Sequence, residues 1–167
     1  ELKGADMLTG AGTYAQLRAV LDYEVGRARR YGRPLGVLFF TVDGFDALRE
    51  TLDREITDTV LVQIADAARG ALRTVDRLFR LDIEEFVALL PETDSVGSLT
   101  VAERLISAVS ASPLPRGSLE SRPMSVSVGT AVFPGPKIST PEELIRAAHE
   151  AMKVARESGH GRVARYE

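Results

Sequence analysis

Apolar and polar positions recur along this chain with two periods, and the changes of period mark out its elements. Tyr14, Leu17, Leu21, Val25 and Ala28 fall on one stripe at helical spacing, and Gly32 and Pro34 stop that helix. Leu35–Val42 is a short apolar run rich in Val and Phe and predicts a buried strand. Asp43-Gly44 marks a turn before a short helical stretch that runs through Arg49. A second long helix is predicted over residues 54–72, with Ile56, Val60, Leu61, Ile64, Ala65 and Ala68 on one face. Residues 77–81 and 85–90 read as two strand-like pieces of a hairpin, which Pro91 ends.

Leu99, Ala102, Leu105, Ile106 and Val109 form the next helical stripe, and the Ser- and Pro-rich residues 111–122 read as an exposed loop. Met124, Val126 and Val128 then alternate with serines, the mark of a half-buried strand. Thr140-Pro141-Glu142-Glu143 carries a capping box with proline at the first helical position. The helix it opens buries Leu144, Ala148, Ala151, Met152 and Ala155 and terminates at Gly159, and residues 163–166 add an edge strand. The order predicts an α+β domain, a mixed sheet covered by helices, with no repeat and no second domain.

Composition narrows the function classes. The chain has 167 residues, enough for one domain with a real core, of which 44% are hydrophobic and 27% charged. No apolar run approaches the roughly 18 residues of a membrane span, so no membrane contact is expected of this domain. A net charge of −3 argues against general nucleic-acid binding, which rests on basic phosphate contacts. The absence of cysteine excludes a disulfide framework, a zinc thiolate site and a cysteine nucleophile. Lys3, Lys137 and Lys153 are the only lysines; the other basic residues are arginines, which suit planar recognition of phosphates and guanine edges. The chain begins at Glu1 rather than a methionine, and it is expected to be cut from something longer.

Several local motifs, in order and covering nearly the whole chain, resemble the GGDEF family, the diguanylate cyclases that join two GTP into cyclic di-GMP. They are Asp6-Met7-Leu8-Thr9-Gly10, Thr41-Val42-Asp43-Gly44-Phe45, the signature stretch Arg80-Leu81-Asp82-Ile83-Glu84-Glu85-Phe86 followed by Leu89-Leu90-Pro91, Ala102-Glu103-Arg104, Ser127-Val128-Gly129 and Ala155-Arg156-Glu157-Ser158-Gly159. The resemblance implies a central, mostly antiparallel five-stranded sheet surrounded by helices, like the palm of nucleotide cyclases. It also implies a lead-in segment or linker from an upstream module over residues 1–12, the domain proper over 13–167, and a cytoplasmic, bacterial setting.

Against the family pattern the active site is degenerate. The family's Mg²⁺ ligands map to Thr41 and Glu84, and Thr41 carries no charge for a cation that prefers carboxylates and phosphates. Asp43 offers partial rescue if the strand runs far enough to place it beside Thr41. The signature glycines become Asp82 and Ile83, ahead of Glu84 and Glu85, where glycine would permit close approach of a nucleotide. The guanine-reading asparagine maps to Arg49, while its partner survives as Asp58, preceded by Asp53-Arg54 in place of Gly-His. Of the phosphate-binding basic residues, one is Arg156 and the next position is His160; His149 and Lys153 replace an aspartate and a tyrosine of the same helix. No functional metal and no catalytic residue are expected.

Arg73-Thr74-Val75-Asp76 stands five residues before the signature, where the family has its product-binding RxxD motif. An RxxD match alone would occur about once by chance in such a chain, so position carries the signal. Arg104 matches the second arginine of that site. A guanidinium can fork onto guanine O6 and N7 or onto phosphate, and a carboxylate can accept from guanine N1–H and N2–H. The expected function is therefore an inactive domain that senses cyclic di-GMP through Arg73, Asp76 and Arg104, with its partners an upstream module and a second protomer bridged by ligand. A ligand-free protein-interaction or dimerisation domain, and a weak cyclase or allosteric GTP binder, are the alternatives.

Overall fold

The computed structural model describes residues 5–113, 115 and 124–167. Five helices and five strands follow in the order α1 (Tyr14–Tyr31), β1 (Leu35–Val42), α2 (Phe45–Thr51), α3 (Arg54–Ala71), β2 (Arg77–Arg80), β3 (Glu85–Pro91), α4 (Ser95–Ala111), β4 (Val126–Phe133), α5 (Pro141–Ser158) and β5 (Val163–Arg165). The strands form one sheet in the order β2-β3-β1-β4-β5, antiparallel except for the parallel β4–β5 pair. This is the expected α+β architecture with a mostly antiparallel five-stranded sheet. Of the Ser/Pro-rich loop expected over residues 111–122, position 114 and those from 116 onward lie outside the described residues.

Strand β1 is the axis, and all of its residues are buried. Its side chains alternate between two cores. Leu38, Phe40 and Val42 pack with α3 and α4, where the Phe40 and Phe86 rings stack with centroids 5.2 Å apart. Leu35, Val37 and Phe39 pack with α1 and α5. Helix α5 lies so close to the sheet that a Cβ on Gly129 would collide with the backbone of Ala148, Ala151 and Met152. Its N-terminus is fixed by the predicted capping box between Thr140 and Glu143.

Strand β4 begins after Met124 and runs five residues past Val128, to Phe133. The expected half-buried strand is instead buried on both faces, Ser127 included, with only Val132 partly open, and its second half lacks the alternation that period-two reading needs. On the outer side of β2, residues 5–12 dock onto the sheet. Gly12 donates its N–H to Leu78 O at 2.9 Å and accepts from Arg80 N–H at 2.8 Å, against the face of the Phe79 ring.

Gly129→Ala is expected to lose stability toward the upper end of the about 1–3 kcal/mol that overpacking costs, because the obstructing atoms are backbone and cannot rotate away. Urea denaturation followed by circular dichroism measures it.

Candidate functional site

The family-aligned residues separate into three places around the sheet. The first is the end of β1. Thr41 is 3% exposed and stands opposite Glu85 on β3 and Ser127 on β4, on the face covered by α1 and α5. The strand stops at Val42, and Asp43 turns its carboxylate toward β4 and the segment before β5. There Ser125 Oγ donates at 2.7 Å, Ser127 Oγ at 2.6 Å and Gly161 N–H at 2.9 Å. Both oxygens of Asp43 are thus engaged in tying β1 to β4 and β5, a role that its place in the motif did not reveal.

The signature hairpin is the second place. Arg80 grips its tip from below, donating from Nε and Nη2 to the carbonyl of Ile83 at 3.0 and 2.9 Å and from Nε to that of Asp82 at 3.2 Å. Asp82 Oδ1 accepts from the Ile83 N–H at 2.8 Å, which closes the tip on itself. Ile83 is 42% exposed. Arg80 Nη1 reaches Asp6 of the lead-in segment at 3.1 and 3.2 Å. Asp6 also accepts from the N–H and hydroxyl of Thr9, at 2.8 and 2.7 Å, and Arg69 holds the Thr9 carbonyl. Sequence reading treated Arg80 only as part of the motif. An arginine beside a turn with exposed carbonyls is the signal that would have found it.

Beneath the hairpin tip opens a cleft of about 400 Å³ lined by Arg49, Asp58, Arg54, Arg80, Ile83 and apolar residues of α2 and α3. Arg49 pairs with Asp46 at 3.3 Å, and Arg54 stands 3.9 Å from Asp58. The structure therefore brings Arg49, Asp58 and Ile83 together, as the motif positions predict. Burial pushes the Glu84 carboxyl up, reinforced by Asp46 and Glu85 and partly opposed by Arg49. Burial likewise pushes Glu85 up, with Asp82 adding to it and Arg156 opposing. Arg156 itself is exposed on α5. His149 stacks at a tilt on Phe39, ring centroids 4.7 Å apart, and burial together with Lys153 and Arg156 holds it below the usual histidine value.

The third place is the RxxD segment between α3 and β2. The Arg73 guanidinium donates to both oxygens of Asp76, from Nη2 at 2.8 Å and from Nε at 3.2 Å, and the Arg73 backbone N–H adds a bond at 2.8 Å. The Asp76 side chain is fully buried, while that of Arg73 is 46% exposed. Asp76 is thus spent on Arg73: a carboxylate out of water is stable there because three donors satisfy it. The hydrogen bond to Asp76 raises the Arg73 pKa, so the guanidinium keeps its charge. Glu92 stands nearby, accepting from Arg27 at 3.2 Å and Arg33 at 2.5 Å, and its charge also reaches Arg73. Arg104 is exposed on α4 and shares no hydrogen bond with Arg73 or Asp76 among the described residues.

Comparison with known proteins follows the same lines. The family model described as diguanylate cyclase, GGDEF domain, matches residues 4–162. Diguanylate cyclase DosC of Escherichia coli is 32% identical over 160 residues, covering 96% of this chain and 34% of DosC. Response regulator PleD of Caulobacter vibrioides is 32% identical over 164 residues, 98% of this chain and 36% of PleD. The chain thus spans about a third of the length of these curated relatives. Among solved structures, the GGDEF domain of TpbB (YfiN) from Pseudomonas aeruginosa superposes with a TM-score of 0.90 at 30% identity, covering 98% of this chain and 94% of that one. The GGDEF domain of DgcB from Caulobacter crescentus, solved in complex with cyclic di-GMP, shares the fold with a TM-score of 0.91 at 21% identity, covering 100% and 95%. No helix among the described residues is long and apolar enough to cross a membrane.

Thr9 and Arg80 hold the Asp6 carboxyl below its usual value although burial acts the other way. A depressed acid contributes stability that is present above its unfolded value and lost as pH falls through its folded value. The unsubstituted chain is therefore expected to lose stability more steeply than Asp6→Asn as pH falls from about 5 to about 3, read as the change in urea midpoint.

Proposed function

The chain belongs to the GGDEF family of diguanylate cyclase domains, and within that family we propose that it is a catalytically inactive receptor for cyclic di-GMP, serving a larger signalling protein. The observation that carries the reading is the state of Arg73. It is anchored along one edge of its guanidinium by Asp76, yet almost half of its side chain stays open to solvent. An arginine already fixed loses little further rotamer freedom on binding. Its exposed plane can stack on a purine, and its charge can meet a phosphate. The complex of the DgcB domain with cyclic di-GMP, on the same fold, supports the ligand class.

The inactive half of the reading rests on the end of β1. Synthesis of a phosphodiester from GTP in this family uses Mg²⁺, which takes carboxylate oxygens together with substrate phosphates. The residues present do not fit it. Thr41 is a buried, uncharged hydroxyl, Asp43 has both oxygens engaged, and burial favours the protonated forms of Glu84 and of Glu85, which stands opposite Thr41. The cleft beside Arg49 and Asp58 favours a second reading, in which guanine nucleotide binds there without turnover.

Isothermal titration with cyclic di-GMP is expected to show binding that Arg73→Ala abolishes and that Asp76→Ala weakens at least about tenfold, since the brace is lost. A folded protein giving no heat at tens of micromolar ligand would overturn the receptor reading. Incubation with GTP and Mg²⁺ is expected to yield no cyclic di-GMP; clear product would overturn inactivity. Titration with GTP, repeated on Asp58→Ala, tests the second reading.

A further inference from the structure

Asp76 accounts for only part of what holds Arg73. The same Nη2 that meets Asp76 also reaches Pro91 O and Thr93 Oγ1, each at 2.8 Å, so its two protons are shared among three acceptors. Thr93 gives its own hydroxyl proton to Pro91 O at 2.9 Å. A threonine hydroxyl has one proton, so toward Arg73 it acts purely as an acceptor. Thr93 is 8% exposed and stands between the end of β3 and Asp94, the N-cap of α4. Its backbone N–H is tied to Pro34 O at 3.2 Å. The hydroxyl is therefore held by β3, by the loop before β1 and by the start of α4, none of which belongs to the RxxD segment.

We propose that Thr93 is a positioning residue of the cyclic di-GMP site, fixing the rotation of the Arg73 guanidinium so that its Nε/Nη2 edge faces the protein and its plane and Nη1 face the ligand. The identity of the ligand rests on the receptor reading above; the brace rests on the hydrogen bonds alone. With Nε and Nη2 committed inward, Arg73 meets its ligand by stacking and by Nη1 rather than by a two-bond fork. Recognition at this arginine then depends on a residue far from it in sequence, at the mouth of α4.

Two measurements on the unsubstituted chain, Thr93→Val and Thr93→Ser test it. The first is the rate of rotation of the Arg73 guanidinium, from nitrogen-15 NMR of its side chain in the absence of ligand. The second is the affinity for cyclic di-GMP by calorimetry. Slow rotation with separate Nη1 and Nη2 signals is expected for the unsubstituted chain. Thr93→Val is expected to rotate faster and to bind about five- to tenfold more weakly, the worth of an ordinary net hydrogen bond because Asp76 and Pro91 still accept from Nη2, with Thr93→Ser restoring both. Fast rotation in the unsubstituted chain overturns the proposal even if Thr93→Val fails to fold. So does rotation or affinity indifferent to Thr93→Val, or failure of Thr93→Ser to restore them. Slow, Thr93-dependent rotation in a protein with no affinity for cyclic di-GMP overturns the receptor reading and leaves the brace standing.

Discussion

Complete burial of β1 is the constraint on which the rest of the molecule depends. A strand covered on both faces cannot end in an unpaired charge without cost, so its exit toward solvent has to be engineered residue by residue. Thr41 stands opposite Glu85, and a carboxylate in its place would face another across the strand pair. Like charges directly opposite repel, and burial adds to the penalty, unless a cation neutralises them. Threonine removes that demand. Asp43, the first acid after the strand, is accepted because Ser125, Ser127 and Gly161 supply donors from β4 and the segment before β5. The substitution that argues against cyclase chemistry is also one that leaves the strand end self-sufficient.

The signature hairpin and the RxxD segment then differ in how they hold their charges. Around the hairpin, charge is spent inside the protein: Arg80 on the carbonyls of Asp82 and Ile83 and on Asp6, Arg49 on Asp46. At the RxxD segment the acid is buried and the base is displayed, so the same residue types leave an outward positive surface. Desolvation sets the direction at the RxxD segment. The buried partner takes as many donors as it can reach, and the exposed partner keeps whatever donors are left over.

Much of the fold was legible from periodicity. The bounds of α1, β1 and α3 fall within a residue of those expected, because each has a one-sided apolar stripe or an unbroken apolar run closed by Gly, Pro or a cap. Strand β4 was only half visible, since its buried Ser127 mimics a solvent-facing position in the first half and Gly129 to Phe133 carry no alternation in the second. Among the family-aligned residues, motif register anticipated that Arg49 would lie near Asp58 and Arg73 beside Asp76, but local sequence has no signal for what a side chain does across the fold. Asp43 meets partners more than eighty residues away, and Thr93 meets Arg73 twenty residues back. Nor did residue type tell which member of the RxxD pair would be turned inward.

Strand β2 is the outermost strand of its sheet, and an uncovered edge is a template on which another chain can add by backbone hydrogen bonding. Gly12 occupies part of that edge, at Leu78 and Arg80, and the Asp6–Arg80 pair pins the covering segment in place. A domain cut to begin at Thr13 would keep the α1 cap and every strand and still bare that edge beside the exposed Ile83. The lead-in residues therefore act as a partial edge cover, taking up backbone groups at Leu78 and Arg80 that would otherwise be open to pairing with another chain.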